Sequence, residues 1–245
     1  MRSIEHKYTP WRHAHSRFIQ EVSLIVDEIR NKTVDPRLEN PLKNYLIVRM
    51  ISIFENYFKI LVKERINEYN TSLLTFYQGE QKASITLFDN LLSGHTRITK
   101  GLIVANDFNF GNPHVVNYIF TRLLQSKKEL SKIGVDFFEL MRLYDMNDPH
   151  KYIKGTKYLH VNWYDFLDVF EIRNKIIHGA ENSGLSIRRI TSFCSNAMEA
   201  MDIASHISRT SEYKDFIDTI EKQRKQLTKL KQEEAIRKSR AKNSP

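Results

Sequence analysis

The segment Glu171-Ile172-Arg173-Asn174-Lys175-Ile176-Ile177-His178-Gly179 brings an arginine, an asparagine and a histidine close together. A helical stripe through Trp163, Phe166 and Phe170 reaches Arg173 and then Ile177, so an arginine stands where the pattern calls for an apolar residue. Phe170, Asn174 and His178 follow one another at steps of four and share a ridge. A polar group at the edge of an apolar face is hydrogen-bonded, ion-paired, or used in a groove between helices or subunits. Arg173 has the planar fork that holds a phosphate through two hydrogen bonds and stabilises charge building on a phosphorane. His178 falls in the last helical turn, where the dipole favours an imidazolium, and histidine is the side chain suited to moving a proton near pH 7. The architectural alternative is that His178 caps the helix, Asn174 bonds to it one turn back, and Arg173 pairs with a carboxylate such as Glu171 or one on another helix.

Other chemistry-bearing residues are sparser. Lys175 on the same helix, and Arg188 and Arg189 just across the following turn, are candidate contacts to a phosphate backbone, or equally a solvated helix start. His6, His13 and His15 have no suitably arranged acidic or cysteine ligand around them, so no metal site is expected. No GxxxxGK[ST] or GxGxxG occurs, which leaves a phosphate-cradling nucleotide loop unsupported, and no cofactor is expected. Cys194, the single cysteine, lies mid-helix on an apolar stripe and reads as a core thiol.

The elements that must position these residues read as helices. Phe18, Val22, Ile25 and Ile29 mark a helix from about Trp11 to Arg30; Asp35-Pro36 should end it and Asn40-Pro41 open the next. Leu46, Met50, Ile53, Tyr57, Ile60 and Glu64 give a long second helix from Leu42 to about Tyr69. Between residues 71 and 112 the pattern is irregular, with a possible helix from Ser84 to Leu92 and a possible strand from Ile103 to Ala105. Asn112-Pro113 looks like a cap and first-turn proline for a helix from His114 to Gln125. Val135 to Leu143 forms a short helix and Val161 to His178 a longer one, stopped by Gly179 as a left-handed terminal residue. Ile187, Ile190, Cys194, Ala197, Met201 and Ala204 mark the last core helix. Sustained strand alternation is missing, so the expected fold is an all-α bundle.

Composition bounds what this bundle can be. The chain has 245 residues, 41% of them hydrophobic, enough for a real core. It contains no apolar run of the roughly 18 residues that a membrane span needs, and charges near the start replace a signal peptide's apolar stretch, so a cytoplasmic protein is expected. The net charge of +9 favours a polyanionic partner, nucleic acid being the commonest. Six of those nine charges sit in residues 221–245, which read either as an RNA-contacting arm or as a solvated, frayed helix.

The Arg173-Asn174-x-x-x-His178 run, followed by Gly179 at a helix end, resembles the R-x(4-6)-H motif of HEPN-domain proteins in its R-N-x-x-x-H form. The similarity takes in the second helix with Phe54-Glu55-Asn56-Tyr57-Phe58-Lys59, and the stretch from about Trp163 to Arg209. It implies a HEPN-like helical domain over residues 1–210, with 71–160 as an insertion similar to those of defence-associated families, and a basic C-terminal extension over 211–245. It also implies a metal-independent endoribonuclease that works as a homodimer. Arg173 and His178 of each subunit would form a composite site, with Asn174 orienting the cluster. RNA would be cut to 2′,3′-cyclic phosphate and 5′-hydroxyl ends. A toxin or antiviral effector of this kind needs restraint by an antitoxin, a sensing partner or an inhibitory RNA. Some relatives carry a tyrosine two residues after the histidine, the target of a partner nucleotidyltransferase; here that position is Ala180, which argues against that route. A HEPN-like module that binds RNA or protein without cutting, and a helical adaptor, are the alternatives.

Overall fold

The computed structural model describes residues 9–77, 85–86, 89, 98–126, 135–147, 161–179 and 184–208. They form helices α1 (Thr9–Arg30), α2 (Pro36–Tyr69), α3 (Lys100–Asp107), α4 (Pro113–Gln125), α5 (Phe137–Asn147), α6 (Trp163–Ile177) and α7 (Ile187–Ile207), with a 3-10 turn at Leu73–Thr75. No strand occurs among the described residues. The all-α expectation holds.

Local chemistry sets the helix ends. The α1 helix closes at Lys32, which has a positive φ of 54°. Thr33 N–H reaches back to the Glu28 carbonyl and Lys32 N–H to that of Ile29, satisfying carbonyls the helix end would leave bare. Asp35 therefore starts the next helix rather than ending this one. Its Oδ1 accepts the Arg37 N–H at 2.8 Å, and Pro36 occupies the first helical position. Pro41 lies inside α2, where it removes one bond to the Arg37 carbonyl; both residues are exposed, so solvent can reach that carbonyl.

The long α2 helix is the hub, touching α1, α3, α4, α6 and α7. Being surrounded, it buries more than the single expected stripe. Leu46, Met50, Ile53 and Tyr57 are buried as read, but so are Ile47, Ile51, Phe54, Phe58, Leu61, Val62 and Ile66, while Ile60 is 43% exposed. Tyr57 donates from its hydroxyl to the Met201 carbonyl at 2.6 Å, tying α2 to α7, where Ala197, Ala200 and Ala204 permit close packing.

The strand expected at Ile103–Ala105 is instead the middle of α3. The Thr99 hydroxyl caps this helix by accepting the Leu102 N–H, and Asn67 of α2 accepts the Gly101 N–H at 3.1 Å. Val104 and Ala105 then face the core. A Cβ at Gly101 would lie 2.3 Å from the Lys63 carbonyl oxygen and 2.8 Å from its Cα. Alanine normally favours a helix over glycine by about 1 kcal/mol. Here Gly101→Ala is expected to lose about 1–3 kcal/mol through overpacking against backbone, read as a lower denaturant midpoint.

Asp89 ties the 3-10 turn to α3. It accepts the Leu73 N–H and the Ser72 hydroxyl and pairs with Lys100 Nζ at 3.0 Å. Burial pushes its carboxyl up, but these donors and the ammonium outweigh burial and hold it below the usual carboxylate range. A lowered folded-state value stabilises above the unfolded value of about 3.9 and is lost as pH falls through the folded one. Asp89→Asn should therefore cost about 1–3 kcal/mol at pH 7 and reduce the decline of stability below about pH 4, as checked by urea titrations across pH.

The Asn112–Pro113 cap appears as read: Asn112 Oδ1 accepts the His114 N–H at 2.9 Å and Pro113 opens α4. Side chains of α4 cap α5 in turn, Thr121 Oγ1 accepting from Phe137 N–H and Asn117 Oδ1 from Phe138 N–H. Buried Asp145 at the end of α5 accepts the Val161 N–H at 3.0 Å, which sets the start of α6. Most of the helix expected at Ser84–Leu92, and all of residues 211–245, lie outside the described residues.

Candidate active site

An aromatic cluster aims α6. Phe166 and Phe170 meet Phe54 of α2 at ring distances of 5.3 and 5.0 Å and each other at 5.6 Å. Both are nearly fully buried. Arg173 follows Phe170 by three positions, so the face that fills the core there runs out into the expected polar edge. The helix stops where Gly179 takes a φ of 71°, its N–H bonding to the Ile176 carbonyl, as the sequence indicates.

Arg173 and Asn174 are brought together. Arg173 Nη1 donates to Asn174 Oδ1 at 2.9 Å, and Arg173 Nε is shut off from solvent with no hydrogen-bond partner. Among the described residues neither Glu171 nor Arg173 has an ion pair, and Arg173 bonds Asn174. A buried donor without a partner costs about 1–3 kcal/mol, which a bound acceptor would recover. His178 lies one turn on, exposed, its backbone N–H bonded to the Asn174 carbonyl at 3.0 Å.

Beside the motif lies a cleft of about 500 Å³. One wall is α6, with Leu167, Asp168, Phe170, Glu171, Arg173 and Asn174; the other is the turn into α4, with Asn109, Gly111, Asn112, Pro113 and His114. Arg189 reaches the rim, with Nη2 3.8 Å from Asp168 and its guanidinium 5.4 Å from the Phe193 ring. Lys175, His178 and Arg188 are exposed and do not line the cleft. Asn109, Asn112 and His114 are residues that sequence reading missed as site components. The Asn112–Pro113 cap marked a helix start, yet nothing local signals that it faces a helix some sixty positions later.

Cys194 is 4% exposed, and burial pushes its thiol up to about 12, which leaves it protonated and unreactive at neutral pH. Among the described residues, no group of three or more His, Cys, Asp or Glu is arranged to hold a metal. His6 and the side chains of His13 and His15 lie outside what the structure describes. No described helix is long and apolar enough to cross a membrane.

The described helices thus pack around a long central one, with the Arg-Asn-x3-His ridge at the end of a core helix. The chain belongs to the RiboL-PSP-HEPN family, whose sequence profile matches residues 16–223. Neither a curated protein nor a solved structure matches it.

Proposed function

We propose that this protein is a metal-independent endoribonuclease. The observation that carries this reading is the Arg173 guanidinium, held by Asn174 through one nitrogen and offering a buried, unpartnered Nε beside a cleft. A phosphodiester oxygen is an acceptor that this guanidinium suits: Arg173 lines the cleft, and once the side chain turns to open Nε, that nitrogen and a terminal one together grip two oxygens of one phosphate. Membership of a HEPN family supports RNA as the source of that phosphate.

The chemistry follows from the groups present. A base takes the proton of the RNA 2′-hydroxyl, and the freed oxygen bonds to the adjacent phosphorus. The bond from phosphorus to the 5′-oxygen breaks, and that oxygen receives a proton from an acid. The products are a 2′,3′-cyclic phosphate and a 5′-hydroxyl. Arg173 stabilises the charge on the pentacoordinate phosphorus, Asn174 orients it, and His178 moves protons. Base and acid are both needed and the motif carries one histidine per chain, so in the homodimer that the HEPN resemblance implies, the partner copy's motif would supply the second role. The exposed Lys175 and Arg188, and Arg189 once released from Asp168, supply contacts to flanking phosphates.

Activity per mole should therefore rise with protein concentration as dimers form, tracked by sedimentation alongside cleavage of a single-stranded RNA in EDTA. Cleavage by a strictly monomeric protein would remove the composite site from this scheme. A dimer that binds RNA steeply with falling salt but never cuts it would favour a non-catalytic RNA-binding module. An unrestrained nuclease harms its host, which fits a toxin or antiviral effector held by an antitoxin or an activating partner. Expression in cells should arrest growth, and His178→Ala should lift the arrest.

A further inference from the structure

Resting on the ribonuclease reading, we infer that the cleft beside Arg173 is a base-recognition subsite selective for guanine in single-stranded RNA. With a phosphate on Arg173, a neighbouring base has the cleft within reach, and about 500 Å³ lies in the range of small-ligand pockets. Leu167 and Pro113 give it apolar surface for a flat ring.

The polar groups define which ring. Asn109 Oδ1 accepts the Gly111 N–H at 3.0 Å, and Asn112 Oδ1 accepts the His114 N–H. A backbone N–H can face only the oxygen of an amide, so the orientation of both side chains is settled and each keeps its NH₂ as a donor. Of the two carboxylates in the cleft, Asp168 is paired with Arg189, whereas Glu171 is exposed and carries no ion pair among the described residues. The cleft thus offers one carboxylate able to accept two parallel donors, together with amide donors.

Guanine alone among the four bases carries two adjacent N–H donors, N1–H and the 2-amino group, and it has O6 and N7 as neighbouring acceptors. Adenine and cytosine place a ring-nitrogen acceptor beside their amino group, and uracil flanks its one N–H with two carbonyls. A carboxylate would meet a repelling lone pair in each. The same acidic wall disfavours a second phosphate in the cleft, which leaves Arg173 as the anion-binding group there.

The test uses the full-length His178→Ala protein, which should bind without cutting, and short fluorescent single-stranded RNAs with one variable base between uridines. The guanine RNA should bind about tenfold tighter or more than the adenine, cytosine or uracil RNA. Replacing guanine by hypoxanthine, which keeps N1–H and loses the 2-amino group, should remove most of the gain without changing the protein. Adding Glu171→Gln should bring guanine to within about twofold of the others. Equal binding of all four RNAs, no RNA binding, or a guanine preference that survives Glu171→Gln and hypoxanthine would overturn the inference. Wild-type cleavage separates it from the reading beneath: cutting without guanine preference removes only the subsite, and guanine-selective binding without cutting removes only the nuclease.

Discussion

His178→Ala should reduce RNA cleavage by about 10²–10⁴-fold while leaving the melting temperature unchanged. The size is that expected for removing the proposed proton-transfer group. The unchanged stability follows from exposure and from the backbone geometry of the helix end. His178 takes part in the α6 terminus through its N–H bond to the Asn174 carbonyl, and Gly179 supplies the left-handed residue, so neither depends on the imidazole. Arg173→Ala should impair cleavage as well, and the double variant should fall little further than the more impaired single one, because groups that act as one unit are not additive. EDTA should change none of these rates. Initial-rate assays beside thermal melts separate the two effects, and full activity in folded His178→Ala would move the proton transfer elsewhere.

The largest stability effect is expected at Phe170→Ala, about 3–5 kcal/mol. Phe170 is 3% exposed and packs edge-on to Phe54 at 5.0 Å and to Phe166 at 5.6 Å. Removing it deletes ring area and also those contacts, leaving a cavity between α2 and α6 that neighbouring aromatics cannot easily collapse into. For a chain of this size the melting temperature should drop by roughly 6–20 °C. Phe170 also lines the cleft one turn before Arg173 and Asn174, so cleavage measured well below the melting temperature should fall too. Phe170→Leu should retain much of both. A Phe170→Ala protein that melts like wild type would mean that the cluster does not anchor α6.

What was legible in the sequence was local. The spacing of Trp163, Phe166 and Phe170, the stop at Gly179 and the Asn112–Pro113 cap each depend on residues within about one helical turn, and each appears where it was read. Where contacts with distant residues decided, reading failed. Ile103-Val104-Ala105 has strand-like composition, yet Thr99, Asn67 and the close approach of Gly101 to Lys63 make it a helix on α2. The breadth of the buried face of α2 depended on how many helices surround it, which no single stripe reports. Asp35-Pro36 reads locally as a stop, although the same pair is a good start once Lys32 has closed α1. At the site, Arg173 interrupts an apolar stripe, and Asn174 and His178 follow Phe170 on the neighbouring step-of-four ridge. The opposing wall, Asn109 to His114, carries no such interruption and meets α6 only through tertiary packing.

The most direct measurement is the chemical identity of the new ends when wild-type protein cuts RNA in EDTA. The proposed attack by the 2′-hydroxyl, with Arg173 on the phosphate and His178 moving protons, should yield 2′,3′-cyclic phosphate and 5′-hydroxyl ends, both missing from reactions of His178→Ala. Fragments bearing 3′-hydroxyl and 5′-phosphate ends, or cyclic-phosphate ends still formed by folded His178→Ala, would contradict it.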